Sequence, residues 1–208
     1  MSFLGDIASF SRTSLKTVET QVTTPAGQVL VETRVDGSFT QRPVEGKSLG
    51  FVGDVKPDFQ VVEVRPGLLL SSQDVATNLD LLNQHCVTHI LNVATGISNV
   101  FPDTFVYKTV EILDLPETEI TGYFEECFQF LDVARDIKGT VLVHCNAGVS
   151  RAPSIVIGYI MSKEGACFEA VYQELRGLRP AVGPNDGFRR SLLKYEATLK
   201  NRDNDREV

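Results

Sequence analysis

The chain has no tryptophan, two methionines, three histidines and four cysteines in 208 residues. Each scarcity excludes a class of chemistry. His85, His89 and His144 fall at no spacing that would gather a metal, and no two cysteines form a Cys-x-x-Cys pair. Neither a zinc site nor a dithiol redox motif is expected, and no cofactor is called for. Cys86, Cys127, Cys145 and Cys167 read as free thiols of a reducing compartment, with Cys127 on the apolar face of a helix. No apolar run is long enough to span a bilayer, so no membrane partner is expected. The opening Met1-Ser-Phe-Leu-Gly-Asp has no basic stretch leading into an apolar core. That reads as no secretory leader, and the expected location is the cytoplasm, extending to the nucleus. Positive charge is also scarce: the net charge of −7 argues against a nucleic-acid partner. Arg176 with Arg179, and Arg189 with Arg190, are local basic pairs that read first as solvated faces. Attraction of phosphorylated segments is their second reading.

What the chain does have is one dense stretch, Val141-Leu-Val-His-Cys-Asn-Ala-Gly-Val-Ser-Arg151. The run 140–143 is short, β-branched and apolar, which predicts a buried strand. The run 152–161 is apolar on nearly every side, which predicts a buried helix. Cys145 therefore sits where a strand ends and Arg151 where a helix begins. The loop between them, Asn146, Ala147, Gly148, Val149 and Ser150, can curl so that successive N–H groups point inward as an anion nest. The helix adds its own unpaired N–H groups and the positive end of its dipole. A phosphate fits such a cup, and the planar fork of Arg151 can hold two of its oxygens. The same field favours the thiolate form of a cysteine, which is the nucleophile. The bland alternative is a structural cysteine beside a solvated arginine. Phosphoryl transfer to Cys145 would leave an alkoxide or phenolate that needs a proton. Asp114, in Leu113-Asp-Leu-Pro, opens a loop after an expected strand over 105–112 and is the candidate donor. A plain turn aspartate before Pro116 is the other reading of it, and Glu111, Glu117 and Glu119 are rivals.

Residues 1–58 differ from the rest. Gln21–Thr24 and Gln28–Val35 alternate around Pro25-Ala26-Gly27, a hairpin signal. The first fifteen residues can make a short helix, and 36–58 reads as linker. This extension, as a hairpin or a mobile segment, precedes a domain over 59–200 and a polar tail over 201–208. Within the domain, strands over 61–64, 68–70, 87–93, 105–112 and 140–144 alternate with helices over 74–84, 121–134, 152–163, 168–178 and 187–199. That order predicts an α/β fold, a central and mostly parallel sheet flanked by helices, with the site beyond the carboxyl end of a central strand.

The form His-Cys-x-x-Gly-x-Ser-Arg resembles the signature loop of the cysteine-dependent protein phosphatases, and of their atypical dual-specificity branch in particular. The likeness runs from about Phe59 to Leu199. It includes His89-Ile-Leu-Asn-Val-Ala94, Leu113-Asp-Leu-Pro-Glu-Thr118 and Arg179-Pro through Pro184-Asn-Asp-Gly-Phe188. The resemblance implies hydrolysis of phosphotyrosine and phosphoserine or phosphothreonine through a phosphocysteine. Cys145 would be the nucleophile, Arg151 the phosphate fork and Asp114 the acid. His144 would support the cysteine, and Asn185 would brace the loop, although a plain turn asparagine is nearly as good a reading of it. The partners implied are phosphorylated proteins, among them MAP kinases or MAP kinase kinases of stress-activated signalling. A Trp-Pro-Asp lid of the classical tyrosine phosphatases is excluded by the absence of tryptophan. With no lysine in the cup, a phosphoinositide substrate is disfavoured. One departure stands out: Ala152 occupies a position where the family commonly has Ser or Thr, whose hydroxyl assists the departing thiolate. That departure keeps open a second class of function, a weakly active or non-catalytic phosphoprotein-binding scaffold for kinases.

Overall fold

The computed structural model describes residues 19–23, 28–35, 38–47 and 57–204. The chain divides into two compact units, Met1–Val55 and Lys56–Val208. In the first, β1 (Glu19–Thr23), β2 (Gln28–Val35) and β3 (Ser38–Lys47) form an antiparallel sheet in that order. Val22 pairs with Leu30, and Arg34 with Phe39. The reading of 36–58 as linker is corrected over 38–47 by the third strand. Pro43 disguised it, because a residue without N–H argues against an interior strand. β3 lies at an edge of its sheet, where proline is tolerated. The helix expected within the first fifteen residues lies outside the described residues.

The second unit holds β4 (Val62–Arg65), β5 (Leu68–Ser71), β6 (His89–Asn92), β7 (Val106–Thr109) and β8 (Val141–His144). Their order is β4-β5-β8-β6-β7, antiparallel at the β4–β5 edge and parallel elsewhere. Its helices are α1 (Gln73–Ala76), α2 (Leu79–Gln84), α3 (Phe124–Asp136), α4 (Arg151–Glu164), α5 (Phe168–Leu178) and α6 (Asp186–Asn204), with a 3-10 turn over Ile120–Tyr123. Every residue of β5, β6 and β8 is buried, as expected for strands covered on both faces. Strand alternation then sorts the core. Leu68, Leu70, Leu91, Val141 and Val143 face one layer with Phe124, Leu131, Ile155 and Phe188. Leu69, Ile90 and Leu142 face the other, with Val75, Leu82 and Phe105. The helix α4 is buried continuously from Arg151 to Met161, which is why its sequence shows no polar face.

Among the boundaries that differ from the sequence reading, two have a visible cause. The helix expected over 74–84 is broken at Thr77–Asn78, because Asn78 turns its side chain to cap a new helix, accepting from Leu81 N at 3.1 Å. The polar tail read from 201 is helical to Asn204. Lys200 pairs back to Glu196 one turn earlier, and no glycine or proline interrupts the stretch after Leu199.

Candidate active site

The strand β8 lies between β5 and β6, with His144 in register with both Ser71 and Asn92. Cys145 follows at the carboxyl end of this central strand and is buried. The loop that it opens is held from outside by its carbonyls. Gln73 N, at the start of α1, donates to Asn146 O at 2.8 Å. Arg179 donates from Nη2 to Ala147 O at 2.8 Å and from Nε to Gly148 O at 3.1 Å. Gly183 N donates to Val149 O at 2.8 Å, and Ser154 takes Ser150 O through both its N–H and its hydroxyl. In a trans peptide the carbonyl of one residue and the N–H of the next point opposite ways. Five carbonyls fixed outward therefore turn the N–H groups of Ala147, Gly148, Val149, Ser150 and Arg151 to the inside of the loop. Those amides find no acceptor in the protein among the described residues. They form the anion nest that the sequence implied. Gly148 has a φ of +65°, and a Cβ there would lie 2.5 Å from Ser71 O, so only glycine closes this turn.

Arg151 lies at the first turn of α4, nearly buried, with Nη1 on Ile112 O at 3.2 Å and Nη2 on Asn146 Oδ1 at 2.6 Å. Its Nε has no hydrogen-bond acceptor. Asp114 Oδ2 lies 3.5 Å from that Nε, an ion pair without a hydrogen bond. The other carboxylate oxygen, Oδ1, accepts from Ser150 Oγ at 2.7 Å and from Asn185 Nδ2 at 2.8 Å. Asn185 also caps α6, its Oδ1 accepting from Phe188 N, while its own N–H donates to Ser150 Oγ at 3.1 Å. The loop bearing Asp114 rests on Gly187, where a Cβ would come within 1.9 Å of Pro116 O. Thr95 Oγ1 ties its start by donating to Ile112 O. The structure thus brings Cys145, residues 146–150, Arg151, Asp114, His144 and Asn185 into one place. Glu111, Glu117 and Glu119 are exposed, and Glu119 is turned toward Ser191 Oγ.

His144 is fully enclosed, and burial pushes its imidazole down to about 4, against the modest upward pull of a contact with Cys145 O. It stands beside the cysteine as a neutral ring. Cys127 is a core thiol, pushed up to about 12 chiefly by burial. Arg179 corrects the reading of Arg176 and Arg179 as a solvated pair, because its exposure is 0%. It continues the buried stripe Phe168, Val171, Tyr172, Leu175 of α5, four residues past Leu175, and that spacing was the available signal. Ser150 as a ligand of Asp114 and Gly187 as the seat of the acid loop carried no comparable signal, since both arise from contacts between distant segments.

Residues 68–198 match the family described as "Dual specificity phosphatase, catalytic domain". Dual specificity protein phosphatase 19 of Mus musculus is 48% identical over 193 residues, covering 91% of this chain and 88% of that protein. MAP kinase phosphatase with leucine-rich repeats protein 3 of Dictyostelium discoideum is 38% identical over 138 residues, 66% of this chain and 16% of that one. Among solved structures, the human tyrosine phosphatase-like serine/threonine/tyrosine-interacting protein is similar with a TM-score of 0.64 and 33% identity, over 66% of this chain and 96% of that chain.

Proposed function

The chain belongs to the dual specificity protein phosphatase family, and on that premise we propose that it hydrolyses phosphotyrosine and phosphoserine or phosphothreonine through a phosphocysteine. A protein phosphatase acts on phosphorylated proteins, and this one is proposed to act on kinases of stress-activated signalling, MAP kinases or MAP kinase kinases, in the cytoplasm or nucleus. One relative, of which the match covers 16%, is named a MAP kinase phosphatase. The observation that carries the mechanism is the set of inward amides beside Cys145, with Arg151 Nε, which has no hydrogen-bond acceptor, on the same loop.

In the first step the Cys145 sulfur attacks phosphorus in line. The S–P bond forms, the P–O bond to the substrate breaks, and Asp114 gives its proton to the leaving oxygen. The inward amides and Arg151 take the charge of the three equatorial oxygens. For this, Arg151 Nη2 exchanges Asn146 Oδ1 for a phosphate oxygen. In the second step Asp114 takes a proton from water, which attacks phosphorus. The P–S bond breaks, and inorganic phosphate leaves with the thiolate restored. His144 fixes the end of β8 as a neutral ring and moves no proton.

The alternative, a phosphoprotein-binding scaffold, draws on Ala152 and on the solved phosphatase-like interacting protein. One experiment separates the two. The natural chain should turn over an aryl phosphate and both phosphotyrosyl and phosphothreonyl peptides. Cys145→Ser should abolish turnover while inorganic phosphate still binds, because the cup is intact. Phosphate binding without turnover in the natural chain favours the scaffold, and turnover surviving in Cys145→Ser overturns the nucleophile.

A further inference from the structure

Arg179 reaches the cup from the end of α5, as the residue that terminates that helix. Its guanidinium is fully enclosed, and all three nitrogens are engaged. Nε takes Gly148 O, Nη2 takes Ala147 O, and Nη1 takes Gln60 O at 3.4 Å and Gln60 Oε1 at 3.3 Å. Nη2 also pairs with Asp58 Oδ2. A buried guanidinium needs a counter-charge, and Asp58 is the carboxylate that pairs with it. Asp58 is itself fixed at four points. Its N–H donates to Asp74 Oδ2 at 2.8 Å, its carbonyl accepts from Ser72 Oγ at 2.7 Å, and Gln60 N donates to its Oδ1 at 3.0 Å. The fourth is Arg179. Burial works against the Asp58 carboxylate, but the Arg179 guanidinium and the Gln60 N–H outweigh it and hold the group below the usual carboxylate range. Asp58 lies ten residues before the segment that matches the phosphatase family, residues 68–198, so it is supplied by the chain leading into the catalytic sheet.

We propose that Asp58 and Arg179 are positioning residues for phosphate capture, a relay that aims the amides of Gly148 and Val149 into the cup from a segment preceding the catalytic sheet. The inference rests on the phosphatase reading of the site. Its basis is peptide geometry. Arg179 holds the carbonyls of Ala147 and Gly148, and the N–H groups on the far side of those two peptide planes belong to Gly148 and Val149. If the guanidinium turns away, both peptides are free to flip, and Gly148, being a glycine, resists such a flip least. A carbonyl oxygen facing the phosphate would then replace a donor with a like-charged dipole. Asp58 fixes the roll of the guanidinium, so that Nε and Nη2 face the two carbonyls together. Neither residue touches the substrate.

The test uses the full chain with Arg179→Lys and Asp58→Asn, and inorganic phosphate as the probe. Two quantities are read at a temperature where circular dichroism shows each variant folded. One is the Ki of phosphate against aryl phosphate turnover, and the other is the Kd of phosphate in the Cys145→Ser background. Lysine keeps the charge but cannot serve two carbonyls and a carboxylate with one planar fork. Arg179→Lys should weaken phosphate roughly tenfold, the scale of one or two lost amide contacts, with KM rising in step. Asp58→Asn, nearly isosteric, should weaken it severalfold. A purely structural pair would lower the Tm of the folded variants and leave Ki, Kd and KM unchanged, and that result overturns the proposal. A natural chain that neither binds phosphate nor hydrolyses the ester would overturn the functional reading, and this inference with it.

Discussion

Ala152 is where this chain leaves the pattern that its loop otherwise follows, and the structure sharpens what a serine there should do. Ala152 is the second residue of α4, fully buried, and belongs to the same enclosed cluster as Cys145. Two other hydroxyls lie near in sequence, and both are committed. Ser150 Oγ donates to Asp114 and receives Asn185 N, while Ser154 Oγ donates to Ser150 O at 2.7 Å. Neither is spare to assist a departing thiolate, so in the proposed scheme breakdown of the phosphocysteine limits turnover. A rapid-quench experiment on the natural chain should show a burst of leaving group near one per enzyme and then a slow steady rate. Ala152→Ser should raise the steady rate and leave the burst rate nearly unchanged. A hydrogen bond to a charged sulfur is worth about 1.5–3 kcal/mol, or roughly ten- to a hundredfold in rate. The new hydroxyl has one local competitor, the carbonyl four residues back. That carbonyl is Gly148 O, already taken by Arg179 Nε. That engagement weakens the competition, so the expected gain keeps to this range, with about tenfold as its lower bound. No burst in the natural chain together with no gain in the serine variant would refute this reasoning.

Asp114→Asn should preserve the contacts to Ser150 and Asn185 but remove the proton, slowing esters with poor leaving groups by about 10²–10⁴-fold and those with good ones far less. A loss independent of leaving group, across a series of aryl phosphates, would make Asp114 structural. Gly187→Ala forces a methyl against Pro116 O, where a Cβ would lie 1.9 Å away. It should lower stability by about 1–3 kcal/mol and displace the acid loop, cutting turnover of poor leaving groups most. Unchanged urea stability and kcat would show that the loop is not seated there. His144 stays neutral in the fold down to about pH 4, whereas an unfolded histidine takes its proton near 6.5. The unfolded chain binds more protons between those values, so this group's contribution is intact above about pH 6.5 and lost as pH falls toward 4, on the order of 3 kcal/mol in all. Urea unfolding from pH 7.5 to 4.5 should show this loss in the natural chain and a shallower one in His144→Asn; parallel curves would contradict it.

The parts of this fold that were legible are those written in one stretch of chain. β8, the loop and α4 are contiguous, and hydrophobic periodicity with the Cys–Arg spacing places them without help from elsewhere. The break at Asn78 was not legible, because the apolar pattern continues across it and only the side-chain cap ends α1 from α2. Arg179 was misread for a different reason. An arginine beside a proline at a helix end looks solvated until the carbonyls and the carboxylate that surround it are known, and those come from residues 147–148 and 58. Ser150 was legible only as part of the cup; that its hydroxyl makes no capping bond for α4 and goes to Asp114 instead depends on a residue far away in sequence.

The same contrast bears on what the cup can select. Its donors are backbone groups, aimed by four separate parts of the fold: the start of α1, the end of α5, the turn at Gly183 and the first turn of α4. The side chains of Asn146, Ala147 and Val149 carry no charge, so among the described residues the cup offers, beyond its amides, one cation, Arg151, with Asp114 beside it. Such a site neutralises one phosphate monoester and little more. It discriminates on the phosphoryl group and not on further charge around it, which suits a phosphorylated side chain of either chemistry better than a polyphosphorylated headgroup. Nothing in the cup itself reads the residues around a phosphorylated side chain, and the exposed Leu113 and Leu115 lie outside it, on either side of Asp114.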